Sequence, residues 1–159
     1  MDLERALTSL VDAGIEFVMI GGVAMYAHGS SRLTRDLDIC YGRSAENLER
    51  LALALGGFHP RLRDAPASTG FRLDARALRQ GMNFTLVTDL GDLDLIGEVP
   101  GIGGYAEVKG LSVSMPLFGR SCEVLSLDGL IRAKRASARP RDLDALKELE
   151  ALREVEDQQ

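Results

Sequence analysis

Residues 15–39 read Ile15-Glu-Phe-Val-Met-Ile20-Gly21-Gly22-Val-Ala-Met-Tyr26-Ala-His28-Gly29-Ser-Ser-Arg32-Leu-Thr34-Arg-Asp36-Leu-Asp38-Ile39, and a second copy of the closing phrase, Asp92-Leu-Asp94-Leu95, follows later. Each phrase alternates carboxylate with apolar residue. In a β-strand that period of two puts both carboxylates on one face and buries the leucines on the other. Two such strands side by side gather three or four carboxylates. Such a cluster repels itself unless divalent cations fill it, and Mg²⁺, with its preference for hard oxygen ligands, is the usual occupant. The apolar run before Gly21-Gly22 reads as a strand, and the glycine pair supplies a backbone that phosphates can approach closely.

Outward from this stretch the chain reads as mixed α/β. Leu3, Leu7, Leu10 and Val11 stripe a first helix capped by Asp2 and stopped at Gly14. Ile15–Ile20 is a buried strand, Val23–His28 a short helix closed by Gly29, Ser30–Arg35 a polar loop and Asp36–Tyr41 a second strand. Ser44 caps a helix carrying Leu48, Leu51, Ala52 and Leu55, ended by Gly56-Gly57. Residues 58–73 suggest an irregular excursion. Asp74 starts a short helix to Gln80. Phe84–Thr88 and Asp92–Val99 form a hairpin around Asp89-Leu-Gly91. After the glycine-rich turn at 101–104, Leu111–Leu117 and Ser121–Leu125 form another around Gly119. Ser126 caps a helix through Ala136, Arg139-Pro140 breaks it, and a last helix runs to about Val155. The expected architecture is an α/β (α+β) domain, a mixed β-sheet with helices packed on it. Residues 1–125 form its core, and 126–159 add C-terminal helices to the same domain.

At 159 residues the chain is long enough for one domain and too short for two full ones. Its net charge of −5 argues against a general nucleic-acid coat. Cys40 and Cys122 stand apart in apolar surroundings, the usage of a reduced, cytoplasmic protein. No run is long enough to cross a bilayer and the N-terminus lacks a secretory signal's character, so no membrane is expected as a partner.

Phosphoryl transfer with two metals needs carboxylates bridging both ions, and Asp36 and Asp38 on one strand face suit that task. A lone Asp-x-Asp also occurs on solvated edge strands. The aspartate-phosphatase arrangement sets it after a strongly apolar strand, which the polar Ser30–Arg35 excludes. Taken together, strand, Gly-Gly, short helix, polar loop and Asp-x-Asp strand resemble the signature of the DNA polymerase beta-type nucleotidyltransferase superfamily. The likeness is to the small bacterial branch that includes the AbiEii-type toxins. Leu130-Ile-Arg-Ala-Lys134-Arg-Ala-Ser-Ala-Arg139-Pro-Arg-Asp142 resembles that branch's later motif, a lysine-bearing helix followed by an Arg-x-basic-Asp turn.

The resemblance implies a nucleotidyltransferase-like fold and a Mg²⁺-dependent enzyme. It would move a nucleoside monophosphate from an NTP such as ATP to an acceptor hydroxyl, releasing pyrophosphate, with a possible toxin–antitoxin connection. Gly21 and Gly22 would face the phosphates, and Asp36, Asp38 and Asp94 would be the catalytic carboxylates and metal ligands. The metals would be two Mg²⁺ ions, for which Mn²⁺ can substitute. Asp94 matches the third position best because it precedes Leu95-Ile96, while Asp92, on the same face, remains its rival. Lys134 and Arg32 would neutralise phosphate charge. Many relatives carry serine where Gly22 stands, so a hydroxyl contact there falls to backbone amides. The acceptor, whether protein, tRNA end or small molecule, is left open. The alternative is a non-catalytic nucleotide-binding or toxin–antitoxin partner that keeps the fold.

The last helix places Leu143, Leu146, Leu149, Leu152 and Val155 at intervals of three, a stripe that drifts about 60° per step. One core cannot cover all of it. Its end frays, or its second face meets a partner chain or a second copy of this one.

Overall fold

The computed structural model describes residues 1–137 and 139–159. The chain begins with α1 (Leu3–Asp12), β1 (Phe17–Ile20), α2 (Gly21–Ala27), β2 (Asp36–Tyr41) and α3 (Ala45–Gly56). It continues through β3 (Arg61–Leu62), α4 (Ala75–Gln80), β4 (Phe84–Thr88), β5 (Gly91–Ile96), β6 (Glu98–Val99), β7 (Gly103–Gly104) and α5 (Tyr105–Gly110). The remainder is β8 (Ser112–Leu117), β9 (Arg120–Leu125), α6 (Leu127–Ser137) and α7 (Asp142–Asp157). Seven strands form one mixed sheet in the order β3-β4-β5-β2-β1-β9-β8, and β6 pairs with β7 apart from it.

Local chemistry sets the helix starts. Asp2, Ser44 and Asp74 each accept the amide of the third residue onward, at 3.2, 3.2 and 2.8 Å. Ser126 does the same for Gly129 at 3.1 Å. Each side chain satisfies an amide that the first helical turn leaves without a partner. The β8–β9 hairpin turns through Phe118 and Gly119, both with positive φ (51° and 74°). A two-residue turn of that hand matches the twist of the strands it joins.

Three local expectations need amendment. Within 58–73, Arg61–Leu62 adds the edge strand β3, whose two residues are too few to show a period. The expected strand from Asp92 to Val99 stops at Ile96. There Gly97 passes so close to Met82 that a Cβ would overlap the Met82 sulfur. Residues 105–110, unassigned from sequence, form α5, which buries only Val108 and so carries no apolar stripe.

One continuous core runs from Ala6 in α1 to Leu149 in α7. Leu37, Ile39, Leu93 and Leu95 are buried on one face of the sheet, and Leu10 of α1 and Leu55 of α3 line a cleft with Leu93 there. On α7, Ala145 and Leu149 are buried whereas Leu143 and Val155 are exposed, so the drifting stripe is covered only in its middle. No helix of the described residues is long and apolar enough to cross a membrane.

Candidate active site

β2 and β5 lie side by side and parallel, in a register that sets Asp36 opposite Asp92 and Asp38 opposite Asp94. Alternation then brings all four carboxylates to one face, with their leucines buried on the other. This parallel pairing joins strands more than fifty residues apart, β2 being antiparallel to β1 on its other side.

Burial pushes the Asp38 carboxyl up to about 7, and the neighbouring Asp94 and Asp36 charges add to the rise while Lys134 opposes it. Like charges this close favour a state in which one carboxyl keeps its proton. Gly21 closes the site from the end of β1. Its φ is +66°, and a Cβ built on it would overlap the Asp38 carboxylate, lying 3.0 Å from Cγ. Two independent demands, backbone hand and space, thus select glycine. Gly21→Ala is expected to cost about 1–3 kcal/mol of stability and to displace Asp38. Thermal unfolding and the pH titration of Asp38 by NMR check it; an unshifted Asp38 with unchanged stability would contradict the packing.

Gly22 makes room for Thr34 instead, since a Cβ there would lie 2.7 Å from Thr34 Oγ1 and 2.9 Å from its Cβ. A serine at 22 would have to push Thr34 aside, so the hydroxyl beside the glycine pair is that of Thr34. It donates to the Asp36 carbonyl oxygen at 3.1 Å.

Gly21, Asp38, Asp94, Lys134 and Arg139 line a common cavity of about 510 Å³. α6 carries Lys134 to its rim, and Asp142, at the start of α7, holds it there. Asp142 is 5% exposed and accepts from Lys134 Nζ at 3.3 Å and Arg139 Nε at 3.0 Å. Burial alone would raise the Asp142 carboxyl, but these two cations hold it below the usual carboxylate range. The lysine and the Arg-x-basic-Asp turn are thereby one clamp.

Arg32 lies elsewhere. Its Nε donates to Glu148 Oε2 at 2.6 Å, and Ser30 Oγ donates to Glu148 Oε1 at 2.8 Å, so α7 pins the loop. Arg32 shares a smaller cleft, of about 270 Å³, with Asp36, Thr34 and Tyr26 rather than the cavity of Asp38 and Asp94.

The residue that sequence reasoning missed is Arg63. Its Nη2 donates to Asp94 Oδ1 at 2.6 Å and to the Leu86 carbonyl at 2.9 Å, and its Nε stands 3.3 Å from Asp92 Oδ2. The sequence signal was slight: two arginines flanking Leu62, a stretch too short to establish the period of two that would assign them to a strand face. Among the described residues, no three His, Cys, Asp or Glu side chains converge as they stand into a cage for one ion. Asp94 is turned toward Arg63.

The fold is shared with nucleotidyltransferases at the level of architecture. The lincosamide antibiotic adenylyltransferase LnuA, solved with lincomycin bound, superposes with a TM-score of 0.63 at 14% identity, over 95% of this chain and 96% of that one. ANT(2″)-Ia, solved with adenylyl-2″-tobramycin, gives 0.60 at 15% identity, over 96% and 93%. TM1012 of Thermotoga maritima, assigned to the nucleotidyltransferases, gives 0.55 at 15%, over 98% and 92%. The sequence matches no protein-family model and no curated protein, so the likeness is one of fold. The chain has a nucleotidyltransferase-like fold.

Proposed function

We propose that this protein transfers a nucleoside monophosphate from an NTP to an acceptor hydroxyl. The observation that carries the reading is the pairing of Asp38 with Asp94 across two parallel strands, with Gly21 pressed against Asp38 and Lys134 on the same cavity. In that reaction the acceptor oxygen bonds to the α-phosphorus and the bond to the β-bridging oxygen breaks. Pyrophosphate leaves, and the hydroxyl proton passes to a carboxylate, the role proposed for Asp94. Gly21 gives the triphosphate a backbone without side-chain obstruction, and Lys134 offsets its charge. Leu125, Leu130 and Ile96 on the cavity wall limit water around the phosphates.

The donor set fits a divalent cation: it is all carboxylate oxygen, and the burial and mutual repulsion that raise Asp38 are what a cation would offset. Asp36, Asp38 and Asp94 would hold the ions, which lower the charge barrier at the phosphate and favour the ionised acceptor oxygen. Mg²⁺ is the proposed metal, with Mn²⁺ as substitute.

Titrating ATP and AMP by calorimetry, with and without Mg²⁺, tests the reading. ATP should bind far more tightly with Mg²⁺ than without. Lys134→Ala should weaken ATP about 10- to 100-fold, the loss of one charge-assisted phosphate contact, and AMP much less. Equal losses for both nucleotides would move Lys134 out of the triphosphate site, and metal-independent binding would remove the carboxylates' role.

A second reading, a nucleotide-binding partner protein without catalysis, is favoured by one observation. Asp94 Oδ1 is already taken by Arg63.

A further inference from the structure

Two rows of side chains cross the open face of the sheet. Strand pairing sets Arg61 beside Val87, Val87 beside Asp92 and Asp92 beside Asp36. One step along, Thr85 is beside Asp94 and Asp94 beside Asp38, and the amide of Arg63 donates to the Thr85 carbonyl at 3.0 Å. The half-face is therefore polarised. Arg61 stands at the sheet edge and the carboxylates at its centre, Arg63 reaches from the edge to Asp94 and Asp92, and Thr85 and Val87 lie between the two ends without full burial. Over the cationic end, Arg61, Arg63, Val87 and Phe71 line a cavity of about 230 Å³. Arg61 is exposed, and its side chain has no hydrogen bond or ion pair with any described residue. Arg63 Nε is shut off from solvent and makes no hydrogen bond.

From this arrangement we infer that the edge cavity is the acceptor's subsite and that it selects an acceptor carrying an anionic group, a carboxylate or a phosphate. The inference rests on the nucleotidyl-transfer reading. Arg61 holds the anion from the edge, the apolar body lies on Val87 and Phe71, and the hydroxyl reaches Asp94. Arg63 ties the subsite to the reacting carboxylate, because it touches Asp94 and lines the cavity at once. Two strand spacings separate the backbones of Arg61 and Arg63 from those of Asp92 and Asp94, about 10 Å. Arg63 already spans its own row to Asp94, so the room lies over Val87, where a single ring fits between an anion at Arg61 and a hydroxyl at Asp94. The same charge pattern disfavours polycationic acceptors such as the tobramycin bound in adenylylated form by ANT(2″)-Ia.

The test is binding without nucleotide, followed by NMR of the arginine Nε–H groups. The probes are 4-(hydroxymethyl)benzoate, 4-(hydroxymethyl)phenyl phosphate, neutral 1,4-benzenedimethanol and cationic 4-(aminomethyl)benzyl alcohol. At least one anionic probe should bind about tenfold or more tightly than the neutral one, the worth of one charge-assisted contact. The two anions' ranking separates a carboxylate from a phosphate acceptor. Arg61→Gln, at an exposed edge where folding is not at stake, should erase the preference. Equal binding of all probes, preference for the cation, no binding of either anion at millimolar concentration, or an anion preference that survives Arg61→Gln would overturn the inference. Transfer of nucleotide to a neutral or cationic acceptor would overturn it as well, while leaving the transfer reading intact.

Discussion

Replacing Asp38 with asparagine should abolish nucleotidyl transfer while making the metal-free protein more stable at neutral and alkaline pH. The two outcomes have one cause. In the folded chain burial and the charges of Asp94 and Asp36 hold the Asp38 carboxyl near 7, against an ordinary value of 3.8 in the unfolded chain. Between those values the folded state keeps a proton that the unfolded state has lost. Stability from this group is therefore intact below about pH 4, declines as pH rises, and is fully lost above about 7. An asparagine amide carries no charge and suffers no such penalty. The variant should match the wild type near pH 4 and exceed it at pH 8 by roughly 1–3 kcal/mol, several degrees in Tm. Asp36→Asn should act in the same direction and more weakly. Divalent cation should stabilise the wild type at pH 8 and leave the Asp38→Asn protein largely unmoved. Denaturant unfolding of the two proteins across this pH range, without metal and with it, provides the comparison. A clear loss of metal-free stability at pH 8 would mean that Asp38 belongs to a structural network.

The next largest effect separates Asp94 from Asp92. Asp94 faces Asp38 and lines the cavity with Gly21 and Lys134. Asp92 faces Asp36, lies outside that cavity and is approached by Arg63 Nε. Asp94→Asn should cost at least about a hundredfold in rate, the usual worth of a positioned base. Asp92→Asn should cost about tenfold or less, by loosening Arg63. Initial rates of the two variants at saturating nucleotide measure this. The reverse ranking would shift the third carboxylate by two residues along β5 and leave the fold untouched.

Features with a local cause were readable from sequence. Asp2, Ser44, Asp74 and Ser126 announce helix starts because the capping side chain lies three residues from the amide it satisfies. The Asp-Leu-Asp phrases announce a shared face because alternation is intrinsic to a strand. Their adjacency follows from a parallel pairing between distant strands, which residue spacing alone does not dictate. Arg63 was hidden for a similar reason: it lies just beyond a two-residue strand that follows Pro60, and its meaning appears only when that pairing with β4 brings its side chain to Asp94. Lys134 and Asp142 were visible as a motif, but their contact depends on the turn between α6 and α7. Arg32 was placed near phosphate by its position in the loop, and the structure directs it to Glu148.

The most direct test of the central claim follows the label. The pure protein, Mg²⁺ and a cell extract as acceptor source are incubated with each NTP, labelled in turn at the α- or the γ-phosphate. The account predicts α-label on an acceptor, γ-label recovered as pyrophosphate, and neither with the Asp38→Asn protein. Transfer of the γ-label, or transfer of no label from any NTP, would contradict it.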